Sequence, residues 1–118
     1  MILVDTSVWV DHFRSDNAGL ESLLDDEQVL CHPFIIGELA CGNLRNRKEI
    51  LSLLASLPEA RMVEHQEALH LLSEARLFGR GLGWIDIHLL TSARVTGCLL
   101  WTLDLSLRRA AASLKVSA

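Results

Sequence analysis

Short apolar runs alternate along the chain with longer segments in which apolar residues recur every three or four positions. The short runs are typical of strands buried on both faces, and the longer repeats are typical of amphipathic helices. The pattern predicts strands at Met1–Val4, Gln28–Cys31 and Cys98–Thr102, and minimal strands at Arg61–Val63 and Leu114–Val116.

The clearest helical repeat is Ile50, Leu53, Leu54 and Leu57, at the spacing i, i+3, i+4 and i+7, and Pro58 ends it. Capping residues and glycines delimit the other predicted helices. These run from Thr6 through Phe13, from Asn17 through Leu24, from Pro33 until Gly42, from His65 to Phe78, from Ile85 to Thr96 and from Asp104 to Ser113.

This alternation predicts an α/β fold, a three-layer sandwich in which a short-stranded parallel sheet is flanked by helices. A chain of 118 residues suits a single domain, here residues 1–118. The pattern leaves the order of the strands open. In such folds ligands bind beyond the carboxyl ends of the strands, so residues directly after a strand are the first candidates for function.

Charge and cysteine content narrow the function classes. Eleven Lys and Arg against fifteen Asp and Glu give a net charge of −4, so the overall field does not favour nucleic acid, although a local basic groove is compatible with it. The longest run without a charged residue has ten residues, half of the ~20 that a membrane helix needs, so we expect no membrane segment. Cys31, Cys41 and Cys98 form no CxxC pair and are predicted to be reduced core thiols of a cytoplasmic protein.

Leucine is unusually frequent, with 24 of the 118 residues. This exceeds what a small core requires, so we expect an apolar face to remain on the surface. Such a face suits a homodimer or a groove for a partner's amphipathic helix.

Four acidic residues lie in apolar sequence, namely Asp5, Glu38, Asp86 and Asp104. Asp5 and Asp104 directly follow predicted strands, Asp86 lies in the first turn of a helix, and Glu38 lies on the helix after the second strand. We expect them to converge over one edge of the sheet, where like charges repel unless a cation neutralises them. Carboxylate oxygens suit Mg²⁺, with Mn²⁺ as a substitute, better than Zn²⁺. Metal-assisted hydrolysis of a phosphodiester bond is the chemistry that uses such a cluster.

Structural roles and another class of protein also fit these acids. Asp5 or Asp104 taken singly suits a turn or an N-cap, and Asp86 suits the first turn of a helix. A phospho-receiver signalling domain has a similar size and fold class. It needs two adjacent acids after the first strand, where this chain has Asp5-Thr6, and a lysine after the last strands, where only Lys115 is present near the end.

The order of four motifs resembles a PIN domain of the VapC type, the ribonuclease toxin of a type II toxin–antitoxin pair. The motifs are Val4-Asp5-Thr6-Ser7, Gly37-Glu38-Leu39, Gly83-Trp84-Ile85-Asp86 and Thr102-Leu103-Asp104. The resemblance covers the whole chain. It implies a Mg²⁺-dependent endoribonuclease that leaves a 5′-phosphate and a 3′-hydroxyl, with RNA as substrate, a cognate antitoxin as partner and a homodimer as its assembly.

Position by position, Asp5, Glu38, Asp86 and Asp104 match the catalytic acidic quartet of the family, and Thr102 matches its small hydroxyl residue. The resemblance implies that Asp5 and Asp86 bind the metal directly and that Asp104 shares it directly or through water. Glu38 completes the cluster and orients the attacking water.

One position departs from the family pattern. Many relatives carry a further acid two residues after the position of Asp104, and this chain has Ser106 there. We therefore expect one firmly bound Mg²⁺ and a second that arrives with substrate. A catalytically inactive PIN fold that serves as a binding module is the remaining alternative, and the intact quartet argues against it.

Weaker signals concern the basic residues and histidines. Arg45, Arg47 and Lys48 cluster between two predicted helices, and Arg76 and Arg80 flank the loop at residues 79–83. These cations are candidates for an RNA path, although a solvated surface explains each of them, taken singly, slightly better. The five histidines show no metal-ligand spacing, and we assign them no catalytic role.

Overall fold

The computed structural model describes all 118 residues and contains three short strands and seven helices. In chain order the elements are β1 (Ile2–Val4), α1 (Thr6–Ser15), α2 (Ala18–Asp25), β2 (Val29–Leu30), α3 (Pro33–Ala40), α4 (Arg47–Ser56), α5 (His65–Glu74), α6 (Trp84–Thr96), β3 (Leu99–Trp101) and α7 (Leu105–Ser113). The strands form one parallel sheet flanked by helices, which confirms the predicted fold class.

The strand order is β2-β1-β3, so the first strand of the chain is the central one. Ile2 pairs with Val29 on one side and with Leu99 on the other. Leu3 and Val4 of this strand are fully buried, as expected for a strand covered on both faces. The carboxyl ends of β1 and β3 therefore lie side by side.

The prediction of minimal strands at Arg61–Val63 and Leu114–Val116 is wrong, because each edge of the sheet carries only a single β-bridge. Glu59 bridges Cys31, and pairing stops there because Arg61 donates its backbone N–H to Thr96 Oγ1 at 2.9 Å. Ser117 bridges Leu100 at the other edge.

Residues 114–116 do not form the second predicted edge strand. Leu114 still has helical backbone angles at the end of α7, and Lys115 adopts a positive φ of 60°. The extended segment therefore starts only at Val116, whose carbonyl accepts a hydrogen bond from Leu100 N–H at 2.7 Å.

Two further predictions need correction. The α5 helix ends at Glu74 instead of Phe78, because Arg76 adopts a positive φ of 52° and Leu77 N–H bonds back to the Leu72 carbonyl. Cys41 is exposed at the end of α3, whereas the other two cysteines are buried as predicted.

The longest helix, α6, has 13 residues and is about 20 Å long. Seven consecutive residues of it, 87–93, are buried. Because this helix packs so deeply, its first turn is held firmly at one end of the sheet. No helix of the structure combines the length and apolar character needed to cross a bilayer.

Candidate active site

The site is built on the carboxyl ends of the adjacent strands β1 and β3. Asp5 follows β1 directly and is 7% exposed, and Thr102 follows β3 and is 2% exposed. The hydroxyls of Thr102 and Ser7 each donate a hydrogen bond of 2.8 Å to Asp5 Oδ2. Burying a carboxylate without such donors is costly, so these two hydroxyls fix its orientation.

The same hydroxyls hold the turn that follows β3. Leu103 N–H donates to Ser7 Oγ and Asp104 N–H donates to Thr102 Oγ1, both at 3.0 Å. Each hydroxyl thus donates to Asp5 and accepts from the backbone of the turn. The position of Asp104 relative to Asp5 is thereby set by buried or half-buried groups instead of by long, mobile side chains.

Three aspartates each occupy the N-terminal end of a helix. Asp5 caps α1, Asp104 caps α7 through Ser106 N–H at 3.1 Å, and the Asp86 Oδ2 atom accepts from Gly83 N–H at 2.9 Å at the start of α6. The structural roles predicted for these residues, two N-caps and one residue in a first helical turn, are therefore correct. We call Asp5, Asp86 and Asp104 the aspartate triad.

Capping uses only one oxygen of each carboxylate in the aspartate triad. The second oxygens, Asp5 Oδ1, Asp86 Oδ1 and Asp104 Oδ2, accept no hydrogen bond from the protein. A capping role and a metal-binding role are thus compatible in the same side chain. The positive ends of three helix dipoles also offset part of the negative charge gathered here.

The three carboxylates of the triad are close enough to influence one another's charge. Burial raises the pKa of Asp86 above its ordinary value, and the negative charges of Asp5 and Asp104 raise it further. The hydrogen bond from Gly83 N–H acts in the opposite direction. The Asp86 carboxylate is thus destabilised by its neighbours, which is the condition that a divalent cation relieves.

Glu38 lies at the rim of this site. It is exposed on α3, and its Oε1 accepts a hydrogen bond of 2.8 Å from Thr6 Oγ1. Thr6 is the residue after Asp5, so Glu38 is linked to the triad through the first residue of α1. It is not among the charges that raise the pKa of Asp86.

The donor set fits a hydrated magnesium ion. All free donors are hard carboxylate oxygens, with no thiolate or imidazole among them. The ligand atoms of the triad do not all lie within 4.8 Å of one another. Mg²⁺ usually keeps several waters and takes one or two carboxylates directly, so this spacing suits direct contact with some members and contact through water with others.

A tighter group of ligand atoms lies elsewhere, at the far end of α1. His12, Asp16 and Glu21 have ligand atoms within 4.8 Å of one another, and we call them the surface cluster. Sequence inspection missed this group, because Asp16 lies just past the end of α1 with a positive φ of 47° and Glu21 lies on the next helix. His12 Nδ1 accepts a hydrogen bond from Asn17 N–H at 3.0 Å, which puts the proton of the neutral ring on Nε2. Neither ring nitrogen is then free to bind a metal.

Ser7 is a site residue to which sequence inspection gave no role of its own in the site. Its hydroxyl joins Asp5 to the turn after β3. The signal was present in the Asp5-Thr6-Ser7 motif. The contact with Leu103 spans 96 residues, however, and local sequence does not reveal it.

Comparison with known proteins gives a consistent family. Residues 2–113 match the family model of the PIN domain. Ribonuclease VapC32 of Mycobacterium tuberculosis, from strain CDC 1551 / Oshkosh and from strain ATCC 25618 / H37Rv, is 48% identical over 113 residues. The matched region covers 95% of this chain and 91% of each relative.

Proposed function

Because the chain belongs to the PIN-domain family and is a homologue of a VapC-type ribonuclease, we propose that it is a Mg²⁺-dependent endoribonuclease. It hydrolyses RNA phosphodiester bonds and acts as the toxin of a type II toxin–antitoxin pair in the cytoplasm. A phospho-receiver function is set aside, since a match over residues 2–113 places the chain in another family.

The aspartate triad carries this proposal. Each member is fixed by a helix cap through one oxygen and keeps the other oxygen without a protein donor. Burial and the two neighbouring carboxylates raise the pKa of Asp86, so a bound cation would stabilise the charged form of this carboxylate. Purely structural caps do not need three carboxylates within electrostatic reach of one another.

The roles of the residues follow from their surroundings. Asp5, Asp86 and Asp104 would hold the cation, Asp5 being the most rigid because it is buried and bound by two hydroxyls. Thr102 and Ser7 position Asp5 and the turn that carries Asp104. Glu38, with one oxygen bound by Thr6, is placed at the rim to accept a hydrogen bond from the attacking water.

When bound, the cation supplies positive charge to the phosphate oxygens and lowers the pKa of a water that it coordinates. No histidine base is required for this reaction. In-line attack by water breaks the bond between phosphorus and the 3′-oxygen, and the products carry a 5′-phosphate and a 3′-hydroxyl.

Sequencing of RNA ends after brief expression of the chain tests this function. We expect new ends at a restricted set of sites, with a 5′-phosphate, and their formation by purified protein should require Mg²⁺ or Mn²⁺ and stop with a chelator. Ends with a cyclic phosphate, or cleavage that is indifferent to the chelator, would contradict the proposal. Absence of any cleavage would favour the inactive binding module.

The proposed antitoxin and dimer contacts are supported by exposed apolar residues beside the site. Leu103 and Leu105, on either side of Asp104, are 43% and 54% exposed. We expect a homodimer, and an antitoxin segment that covers the site in the complex. Light scattering that finds only monomers at micromolar concentration contradicts the dimer. Undiminished RNA cleavage by a stoichiometric complex contradicts occlusion.

A further inference from the structure

A cleft of about 870 Å³ opens beside the acidic site, between α1 and the loop that joins α3 to α4. Thr6 and Glu38, which form the rim of the site, are part of its wall. Another large cleft, of about 780 Å³, lies between α5 and α6 and contains none of the four acids. Of these two spaces, only the first is continuous with the site.

Two cations line this cleft, Arg14 from α1 and Arg45 from the loop. Both are exposed, and neither has a carboxylate within 4 Å. The only ion pair in the structure joins His70 and Glu74. Asp16, which also lines the cleft, is paired with neither of them. In a chain of net charge −4, two unpaired guanidinium groups beside an acidic site are available to bind phosphate.

The three cations predicted between α3 and α4 separate in the structure. Arg47 donates a hydrogen bond of 3.0 Å to the Ala40 carbonyl and so closes the end of α3. Lys48 lies outside the cleft, and Arg45 alone of the three lines it. The cleft therefore selects Arg45, and adds Arg14, which the sequence did not single out.

The rest of the lining suits a nucleotide chain. Phe13, Leu44 and Ile50 give the cleft an apolar floor, and Asn43 and Asn46 add side-chain amides that make no hydrogen bond within the protein. Cations for phosphates, amides for base edges and an aromatic face for stacking are the groups that recognise single-stranded nucleic acid.

The cleft extends along α1, away from the site. Thr6 and Arg14 are both on α1, eight residues apart, which corresponds to about 12 Å along the helix axis. The Arg14 backbone therefore lies about 12 Å beyond the rim of the site along α1. Arg14 is placed to contact a phosphate further along the same strand.

We propose that this cleft holds the single-stranded RNA that flanks the cleaved bond, with Arg14 and Arg45 as positioning residues for neighbouring phosphates. The proposal rests on the proposed ribonuclease function and adds the path of its substrate. A segment of the antitoxin is the competing occupant. Asp16 and Glu38 also line the cleft, so its net charge is not positive. RNA is favoured because both guanidinium groups are unpaired and a nucleotide strand supplies a phosphate for each.

Fluorescence anisotropy with a labelled single-stranded RNA tests this path, in an Asp5→Asn background that prevents cleavage. The variant Arg14→Ala/Arg45→Ala is compared with Arg61→Ala/Arg94→Ala, which removes the same charge from exposed sites outside the cleft. We expect affinity on the order of tenfold weaker for the cleft variant than for the control. The slope of log K against log salt concentration should fall in magnitude by about 1.4, since each phosphate contact to a single strand contributes about 0.7. Arg14→Lys/Arg45→Lys should keep most of that slope, because an ammonium group still binds phosphate.

Equal affinities and equal salt slopes in the cleft variant and the control would overturn the proposal. Loss of antitoxin binding without loss of RNA affinity would assign the cleft to the protein partner, and would also overturn it. RNA cleavage by the unaltered protein is measured separately. If that cleavage occurs while the salt slopes stay equal, the function stands and the path is wrong, whereas absence of cleavage rejects the function itself.

Discussion

The aspartate triad and the surface cluster are two groups of ligand-type side chains in one small molecule, and they differ in how the chain holds them. In the surface cluster the ligand atoms are closer together, yet Asp16 and Glu21 are exposed and receive no hydrogen bond from the protein. In the triad the spacing is wider, yet Asp5 is buried and bound by two hydroxyls that are themselves bound.

The difference shows that proximity of ligand atoms is a poor criterion for a site. A site needs side chains whose orientation is fixed and whose remaining donor atoms are free. Helix capping provides both conditions in the triad, because the backbone N–H occupies one oxygen and leaves the other available. No member of the surface cluster meets both conditions. Its two carboxylates are free but not fixed, and its histidine is fixed by Asn17 N–H but has no free Nδ1.

The largest effect should come from removing one carboxylate from each group. Asp5→Asn should reduce RNA cleavage on the order of 10³-fold, because loss of a ligand forfeits several kcal/mol of transition-state stabilisation. Glu21→Gln removes the same charge from an exposed member of the surface cluster that lies outside the cleft, and should leave cleavage within about twofold of the parent, as typical for a surface substitution. Initial rates with one RNA at saturating Mg²⁺ measure both. Equal losses in the two variants would mean that the surface cluster takes part in the reaction.

A smaller effect should follow from altering the support of the triad without touching a ligand. Thr102→Val keeps the shape of the side chain and removes the hydrogen bonds to Asp5 and from Asp104 N–H. We expect a loss of about 1–3 kcal/mol in the free energy of unfolding and a 10–100-fold loss in cleavage. Thr102→Ser restores the hydroxyl and should recover most of both. Denaturant unfolding and cleavage rates give the two values, and a valine variant as active as the serine variant would contradict the supporting role.

A histidine of the surface cluster and a histidine near the triad also differ in how the chain holds them. His12 and His32 each accept a backbone N–H at Nδ1, but His32, which caps the helix bearing Glu38, is fully buried. Burial, and to a smaller extent the nearby His88, lower the pKa of His32 to about 4. The unfolded chain therefore binds a proton more readily than the folded one. The stability from neutral His32 is fully present above about pH 6.5 and is lost as the pH falls towards 4.

The variant His32→Asn isolates this pH dependence, because asparagine still caps the helix and does not titrate. Relative to the variant, the parent should lose up to about 3 kcal/mol of unfolding free energy between pH 6.5 and 4. Parallel profiles for the parent and His32→Asn in urea unfolding would show that His32 does not titrate in this way.

Sequence alone predicted the sheet and helices well where apolar periodicity decides them. It failed where one backbone conformation decides the end of an element. The apolar repeat of α5 continues to Phe78, but the helix ends earlier because Arg76 has a positive φ. An arginine side chain does not favour that conformation, so the sequence does not predict it. The edge strands failed for a similar reason, since Arg61 gives its N–H to a threonine on α6.

The aspartates were predictable because an acid in apolar sequence after a strand is unusual. The dual use of their oxygens was not, because it depends on which atom each backbone N–H meets. Ser7, Arg14 and the cleft were also beyond sequence reasoning. Each acquires its meaning from contacts between residues far apart in the chain.

The central claim is that the triad is a cation site whose carboxylates repel one another until the cation binds. Thermal unfolding of the parent and of Asp86→Asn, with and without Mg²⁺, tests it most directly, with Asp16→Asn as the matched control. Without Mg²⁺, Asp86→Asn should be as stable as the parent or more stable by on the order of 1 kcal/mol, because it removes a charge that burial and its neighbours oppose. Since the pKa of Asp86 is raised above its ordinary value of 3.8, this difference should be fully present above the raised pKa and should fade as the pH falls from there towards 3.8.

Mg²⁺ should raise the melting temperature of the parent and of Asp16→Asn, because it binds the folded state, and should barely change that of Asp86→Asn. An Asp86→Asn variant that is destabilised and still responds to Mg²⁺ as the parent does would contradict the account.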